Sequence, residues 1–228
     1  MNQIGTKVYI ASTMELEDDA LFKSLYQTVS EERQKKIDRL RFQKDKRLSL
    51  AAAVLLQKAL EWNGIYQYEI KISENGKPYL EGIDVLKFNL SHSEERVMCV
   101  LSTEEAGCDV EYIKKTDFKI AEYFLTEEER AMLDTWKTEE EKQDLFYRLW
   151  TLKESFIKAN GLGMRIPMKE FRFSFEGDKI LIQQNVNQEQ YYFKEYDLKD
   201  GYKYAVCSLN PKFDEIVKVR LGKNERIS

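Results

Sequence analysis

The chain has 228 residues, enough for one large domain or two small ones with a buried core. Hydrophobic residues make up 43% of it and charged residues 33%, which excludes collagen-like, low-complexity and largely disordered chains. The formal net charge is −4, and His92 is the single histidine, so three-histidine zinc sites and relays of several histidines within the chain are excluded.

The cysteines and the hydropathy pattern indicate where the protein works. Cys99, Cys108 and Cys207 lie between apolar neighbours and are spaced too widely for a zinc ribbon, so we expect buried free thiols, with a reactive cysteine as the alternative. No apolar run approaches the roughly 18 residues that suggest a membrane span, and the first residues lack the apolar segment of a signal peptide. We therefore expect a cytoplasmic protein without a membrane partner.

The first half of the chain predicts two helices and several short strands. Ser30 is a helix cap, and the helix that follows it should reach Leu40. A longer helix is predicted from about Asp45 to Trp62, where apolar residues recur at helical spacing. The predicted strands are Lys7–Ser12, Tyr68–Ser73, Lys87–Leu90 and Arg96–Ser102.

The second half predicts the same kinds of element. Thr126 and Glu129 form a capping-box pattern, and a long helix is predicted from about Glu139 to Ala159. The predicted strands are Gly107–Ile113, the alternating Phe171–Phe175, and residues 179–183, 191–196 and 203–209. The succession indicates an α+β fold. We expect two similar, pseudo-twofold halves, residues 1–105 and 106–228, each with a small, mainly antiparallel sheet packed against a long helix.

Basic residues are concentrated between positions 33 and 47 of this acidic chain. A solvated helix face explains such a run, and a patch that binds phosphates explains it equally well. We expect no nucleic-acid partner, because the chain is acidic overall and the run lacks interleaved aromatic residues.

Polar residues follow the strand-like segment Lys87–Leu90. Ser91, His92 and Ser93 would place two hydroxyls and an imidazole at a strand end, where they could converge on an anion. The alternative is a turn capped by serines. The earlier triplet Gly76-Lys77-Pro78 offers a lysine on a tight turn, and by itself it fits a plain loop better.

Two segments of the second half carry carboxylates in regular patterns. Alternation on a strand would place Asp109 and Glu111 on one face, where two close carboxylates favour a hard cation such as Mg²⁺ over zinc. An exposed polar strand face is the alternative. Glu154 and Lys158 are four residues apart on a predicted helix, so an ordinary ion pair competes with a third carboxylate and a phosphate-binding lysine.

Taken together, these segments resemble one known family. GKPYL, FNLSHS, GCDVEYI and LWTLKESFIKANGLG, in this order and spacing, closely resemble the 4′-phosphopantetheinyl transferases of the Sfp type over about Ser30 to Pro167. The resemblance implies two α+β halves with the active site between them. It also implies transfer of the phosphopantetheine arm of coenzyme A to a serine of an apo acyl or peptidyl carrier protein, with release of adenosine 3′,5′-bisphosphate.

The resemblance also implies roles for single residues. Asp109, Glu111 and Glu154 would bind Mg²⁺, with Mn²⁺ as an alternative ion, and Glu154 could instead or also be the general base. Lys158 would steady the pyrophosphate, so the catalytic residues would be Asp109, Glu154 and Lys158. The implied coenzyme A contacts are Arg33, Lys36, Arg47, Ser49, Gly76, Lys77, Pro78, Ser91, His92 and Lys158. Val110 cannot supply the further metal ligand that some relatives have there.

Two other functions use the same residues. A magnesium-dependent phosphohydrolase of a nucleotide such as coenzyme A would need the same carboxylates, and a non-catalytic module could bind coenzyme A or a carrier. We expect a monomer, because the length provides both halves in one chain. The segment from Lys114 to Leu125 could contact the carrier, and core packing explains its apolar residues equally well.

Overall fold

A computed structural model describes residues 5–223 and 226–227. The helices are α1 (Asp19–Tyr26), α2 (Glu31–Asp38), α3 (Gln43–Glu61), α4 (Ala121–Phe124), α5 (Glu127–Asp134) and α6 (Glu139–Asn160). The first six strands are β1 (Thr6–Ser12), β2 (Ile70–Ile72), β3 (Pro78–Leu80), β4 (Lys87–Ser93), β5 (Arg96–Ser102) and β6 (Ala106–Tyr112). The remaining strands are β7 (Phe171–Glu176), β8 (Lys179–Gln184), β9 (Tyr192–Tyr196), β10 (Tyr202–Ser208), β11 (Phe213–Val219) and β12 (Arg226–Ile227).

Two sheets carry the fold, each beside one long helix. The first sheet has the order β12-β11-β1-β5-β4 and the second has the order β6-β10-β9. Their strands pair antiparallel, except that β1 and β11 run parallel. The pairs β2-β3 and β7-β8 form two further small antiparallel sheets. The predicted α+β class with small, mainly antiparallel sheets is confirmed.

Alternation along the strands divides the interior into layers. On the first sheet, Tyr9, Val97 and Cys99 belong to the core that contains α3. The opposite face packs on the second sheet, through the buried set Val8, Ile10, Met98, Val100, Ala106, Cys108, Val110, Tyr204 and Val206. Residues of the second sheet, such as Ala205 and Cys207, join the core around α6. The order of layers is therefore α3, first sheet, second sheet, α6.

Most predicted elements are confirmed to within a few residues, but one strand is longer than expected. Strand β4 continues through Ser93, which pairs with Arg96 of β5. The reversal of the chain falls on Glu94 and Glu95, and Glu94 has a positive φ of 50°. Ser91 to Ser93 were expected just after the strand, with a serine-capped turn as the alternative; both were wrong, because the three residues lie within β4 and the two-residue hairpin turn lies beyond them.

The C-terminal part adds an element that the sequence did not predict. Strand β11 pairs in parallel with β1 of the first sheet, although it lies far beyond residue 105. The division into residues 1–105 and 106–228 stays a prediction. The buried free state of all three cysteines is confirmed. Over the described residues, none of the helices has the length and hydropathy of a membrane span.

Candidate active site

Strand β6 places two carboxylates toward α6. Cys108 and Val110 face the first sheet, so alternation directs Asp109 and Glu111 to the other side, as predicted. Gly107 lies on that same side, where a Cβ would come within 2.3 Å of the Ser155 carbonyl oxygen and the Ala159 nitrogen. Glycine at this position allows the backbones of β6 and α6 to approach closely, and it thereby brings the two elements' polar residues together.

Helix α6 contributes a lysine that reaches across to β6. The Lys158 Nζ donates to Asp109 Oδ1 at 2.6 Å and to Ser91 Oγ at 3.0 Å. Asp109 is only 2% exposed, and its Oδ1 also accepts a hydrogen bond from Ser91 Oγ at 2.8 Å. Among the described residues the ion pair of Lys158 is therefore with Asp109 on the strand, and not with Glu154 one turn away on the helix.

The charges of this cluster perturb one another. Burial and the nearby Asp109 raise the pKa of both Glu154 and Glu111. Burial alone would lower the pKa of the Lys158 ammonium, but Asp109, Cys108 and Glu154 together outweigh that effect and raise it. Several acidic groups thus share a partly buried space with one lysine, and a cation placed there would relieve their mutual repulsion.

The donor set fits a hard divalent metal ion. Asp109 Oδ2 is buried and has no hydrogen-bond partner. Since buried polar atoms are nearly always bonded, this oxygen is available to bind a ligand. Carboxylate oxygens are the donors that Mg²⁺ and Mn²⁺ prefer. Over residues 5–223 and 226–227, however, no three His, Cys, Asp or Glu side chains already surround one point, so Asp109, Glu111 and Glu154 would have to move closer together to hold an ion. Lys158 supplies the positive charge beside Asp109 instead.

A cavity of about 490 Å³ collects most of the residues that the family resemblance assigned to coenzyme A. Its lining includes Arg33, Lys36, Ser49, Gly76, Pro78 and His92. The buried Ser49 Oγ has no hydrogen-bond partner, so a polar ligand could satisfy it. Burial, and next the positive charge of Lys158, lower the pKa of His92. Strand β4 is an edge strand that carries Ser91 and His92 on opposite faces. The charges of Lys158 and Asp109 both act on His92, so the cavity lies near the carboxylate cluster, around the edge of β4.

Four of the implied coenzyme A contacts do not line this cavity: Ser91 and Lys158 belong to the carboxylate cluster, and Lys77 and Arg47 bind acidic residues elsewhere. The Lys77 Nζ donates to Glu105 Oε2 at 2.6 Å and to the Ala159 carbonyl at 2.8 Å. It therefore holds the C-terminal end of α6. The Arg47 guanidinium donates to Glu17 Oε1 at 2.6 Å. Neither side chain lines the cavity, because each is engaged by an acidic partner elsewhere.

The sequence did not lead us to predict three contacts made by residues of β6 and α6. Ser93 Oγ donates to Glu111 Oε2 at 2.7 Å, and Trp150 Nε1 donates to Glu111 Oε1 at 3.3 Å. The Lys153 Nζ lies fully buried at 2.9 Å from Glu129 Oε2. The alternation of Asn89, Ser91 and Ser93, in phase with that of β6, was the signal that could have revealed the serine.

Known protein families match the chain along most of its length. The family described as "4'-phosphopantetheinyl transferase, N-terminal" matches residues 17–105. The family described as "4'-phosphopantetheinyl transferase superfamily" matches residues 105–207. Together these matches span the cavity, β4, β6 and α6.

Individual relatives cover nearly the whole chain. The 4′-phosphopantetheinyl transferase Sfp of Bacillus subtilis is 31% identical over 216 residues, which are 91% of this chain and 93% of that protein. The 4′-phosphopantetheinyl transferase gsp of Aneurinibacillus migulanus is 36% identical over 209 residues, 90% of this chain and 86% of that protein. A crystal structure of Thermotoga maritima holo-[acyl-carrier-protein] synthase matches 47% of this chain and 64% of that chain at 21% identity, with a TM-score of 0.41. That likeness is below the level that bears on the fold.

These findings make the chain an enzyme of the transferase class. It belongs to the 4′-phosphopantetheinyl transferase superfamily, and its Sfp-type motifs are confirmed by relatives of that type. This family uses coenzyme A as the donor substrate, and the chain transfers phosphopantetheine to carrier proteins.

Proposed function

We propose that the chain transfers 4′-phosphopantetheine from coenzyme A to a serine of an apo acyl or peptidyl carrier protein, through the Asp109–Glu111–Glu154–Lys158 cluster. The observation that carries the proposal is the position of this cluster beside a cavity whose lining includes Arg33 and Lys36. A carboxylate cluster for a cation and a basic cavity for phosphates suit a substrate with a pyrophosphate and a 3′-phosphate.

The transfer is a displacement at phosphorus. The carrier serine oxygen forms a bond to the phosphorus of the phosphopantetheine, and the bond from that phosphorus to adenosine 3′,5′-bisphosphate breaks. Glu154 is our candidate for the base that takes the serine proton, because burial and Asp109 raise its pKa toward the range where a carboxylate is an effective base. The ammonium of Lys158 balances the charge that develops on the leaving phosphate.

We assign Asp109, Glu111 and Glu154 as the residues that would hold Mg²⁺, or Mn²⁺ in its place. The unpartnered Asp109 Oδ2 supports this assignment. When bound, the ion neutralises pyrophosphate charge and stabilises the leaving oxygen. Val110 faces the core between the sheets and takes no part.

The cavity is our candidate for the nucleotide end of coenzyme A. Arg33, Lys36 and His92 would face its phosphates, and the free hydroxyl of Ser49 would bond to it. Ser91 would contact the substrate from the edge of the carboxylate cluster. Arg47 and Lys77 would reach the nucleotide only after their bonds to Glu17 and Glu105 open.

The assay is incubation of the enzyme with coenzyme A, Mg²⁺ and a panel of apo carriers, followed by the mass of each carrier. We expect the mass gain of one phosphopantetheine on a serine. Glu154→Gln should slow the transfer about 10²- to 10⁴-fold, the usual contribution of a general base, while Glu140→Gln, an exposed residue on the same helix, should not. Full transfer by Glu154→Gln would contradict the assignment.

The same assay distinguishes the other functions. Hydrolysis of coenzyme A without any carrier would favour the phosphohydrolase, and tight binding of coenzyme A without turnover would favour the binding module. We propose a monomer, since β4, β6 and α6 of one chain supply the cluster, and light scattering tests this. We also propose a cytoplasmic location, which the free state of the three cysteines supports.

A further inference from the structure

The two sheets meet at their edges through a regular row of side chains. Strand β6 is the edge of the second sheet and β4 is the edge of the first. The Cys108 N–H donates to Asn89 Oδ1 at 3.0 Å. The Val110 N–H donates to Ser91 Oγ at 3.4 Å, and the Tyr112 N–H donates to Ser93 Oγ at 3.2 Å. We call Asn89, Ser91 and Ser93 the polar row.

The polar row keeps one register along both strands. At each step the partners are 19 residues apart in the chain, so the strands run in the same direction and advance two residues together. Edge N–H groups that are buried need partners, and the polar row supplies them for Cys108 and Val110, as well as one for the more exposed Tyr112. A shift of either strand would break all three bonds together, so the row fixes the position of β6 against β4.

The two serines also hold the two carboxylates of β6. Ser91 Oγ donates to Asp109 Oδ1 at 2.8 Å, and Ser93 Oγ donates to Glu111 Oε2 at 2.7 Å. The other oxygen of Glu111 accepts from Trp150 Nε1 of α6 at 3.3 Å. Each oxygen of the Glu111 carboxylate is therefore fixed by a different element, one by β4 and the other by α6.

We propose that Ser93 is a positioning residue, which orients Glu111 for metal binding. The inference rests on the proposed function only in taking Glu111 as a metal ligand. A rigid strand that donates a hydrogen bond to a ligand oxygen fixes the direction of that ligand before the ion arrives, and loss of such outer partners commonly costs 10- to 100-fold in metal affinity, as an order of magnitude.

The test compares Ser93→Ala, Ser93→Thr and Ser102→Ala in the full-length protein. Ser102 lies on the neighbouring strand β5 and bonds Thr6 Oγ1 at 3.1 Å, so its loss removes a strand hydroxyl without touching a carboxylate. Mn²⁺ binding, followed by electron paramagnetic resonance without coenzyme A, should weaken at least about tenfold in Ser93→Ala. It should recover in Ser93→Thr, which keeps the hydroxyl, and stay unchanged in Ser102→Ala.

A second readout checks the bond itself. Hydrogen exchange at the Tyr112 amide should accelerate in Ser93→Ala and not in Ser102→Ala. In steady-state assays, Ser93→Ala should require more Mg²⁺ for half-maximal rate, while the KM for coenzyme A at saturating Mg²⁺ stays close to that of the wild type. A purely structural role would change stability and exchange but not the metal requirement.

The outcomes separate this inference from the proposed function. If the wild type modifies a carrier and Ser93→Ala binds Mn²⁺ as tightly as the wild type, the positioning role is overturned and the transferase stands. If Ser93→Ala loses Mn²⁺ affinity while the wild type modifies no carrier, the positioning role stands and the proposed function fails. A wild type that binds no Mn²⁺ would overturn the positioning role together with the metal assignment.

Discussion

At the scale of single residues, the electrostatics of the candidate site depend on the interaction of several acidic groups with one lysine. Lys158 Nζ holds Asp109 at 2.6 Å, and its charge also reaches His92 and Glu154. A cation bound at the unpartnered Asp109 Oδ2 would share the charge of this carboxylate with Lys158 on Oδ1, and a phosphate that attracts Lys158 would leave more of that charge to the cation. Substrate and metal binding should therefore support each other.

The pKa of the single histidine is sensitive to these charges. Burial, as the main cause, and the charge of Lys158, as the second, lower the pKa of His92 below its usual value of 6.5. Between the lowered pKa and 6.5 the unfolded chain binds more protons at this residue, so the free energy of unfolding of the free enzyme should rise with pH across that window. Above 6.5 His92 should contribute no further dependence.

Proton NMR tests this directly, because the chain has one imidazole. The His92 pKa should rise when adenosine 3′,5′-bisphosphate binds, since a nearby phosphate favours the imidazolium. Adenosine, which lacks phosphates, is the matched control and should leave it unchanged. Lys158→Met should also raise the pKa of His92 in the free enzyme, because it removes the positive charge that lowers it. A pKa of His92 at or above 6.5 in the free wild type would contradict the placement of the ring.

At the scale of elements, helix α6 is held at three places, and this decides where Glu154 and Lys158 lie. Its middle is anchored by Lys153, which donates to the carbonyls of Met168 and Phe171 at 2.8 and 2.7 Å. Its C-terminal end is held by Lys77 through the Ala159 carbonyl. Its face against β6 is fixed by the close approach at Gly107.

The contact at Gly107 should not tolerate a methyl group. In Gly107→Ala the new Cβ would meet backbone atoms of α6 at 2.3 Å, and backbone cannot move aside locally. We expect a loss of roughly 3 kcal/mol in the free energy of unfolding, the upper part of the usual range for overpacking, together with a slower transfer. Urea unfolding and the carrier assay measure both.

A second glycine provides the control for this substitution. In Gly222→Ala the new Cβ would meet the flexible ends of Leu21 at 3.1 Å and of Glu15 at 3.6 Å, so the stability and activity of this variant should stay near those of the wild type. If Gly107→Ala were as stable and as active as Gly222→Ala, the close approach of β6 and α6 would not be required for stability or for transfer.

Removal of one partner from the buried pair of Lys153 and Glu129 should destabilise the protein strongly. Both side chains are 0% exposed, and Glu129 Oε1 also accepts from the Phe173 N–H at 2.8 Å. Lys153→Met leaves an uncompensated buried carboxylate, which typically costs about 3–5 kcal/mol. Urea unfolding should show this loss, and the double variant Lys153→Met/Glu129→Gln should lose less than the single one.

Lys199→Met is the control for that pair. Lys199 and Asp197 form an exposed ion pair, which water and salt screen, so we expect no clear change in stability. A double variant no more stable than Lys153→Met would indicate that the lysine acts mainly through its carbonyl contacts.

At the scale of the whole molecule, the two sheets depend on each other. The core between them is formed by residues such as Val100 of the first sheet and Val206 of the second. In addition, β11 completes the first sheet from the far end of the chain by pairing with β1. The proposed active site lies where the two sheets meet at β4 and β6, so its geometry depends on this packing.

Residues 1–105 alone should therefore not fold as a stable unit. The fragment lacks β11 and would expose the face of β1 and β5 that packs on the second sheet, including Val8, Ile10 and Met98. We expect non-cooperative unfolding in urea and dye binding to exposed apolar surface, whereas the full chain should unfold in one transition. Cooperative unfolding of the fragment would show that the predicted halves are independent domains.

The sequence was informative wherever a local pattern decides the outcome. The alternation on β6 placed Asp109 and Glu111 on one face, and the capping pattern of Thr126 and Glu129 marked the start of α5. The reversal after β4 was misplaced because Glu94 occupies a turn conformation that non-glycine residues rarely adopt. The parallel strand β11 was missed because its partner β1 is some two hundred residues away in the chain.

The sequence by itself determined the α+β class, the family and the types of chemical group available, since these follow from periodicity and from motifs read in order. Only the tertiary structure decided which groups meet. It paired Lys158 with Asp109 and not with Glu154, kept Lys77 and Arg47 out of the cavity, and joined Ser93 to Glu111. The physical reason is that such contacts depend on the distances between β4, β6 and α6. Those distances are set by the packing at Gly107 and between the sheets, which involves residues far apart in the sequence.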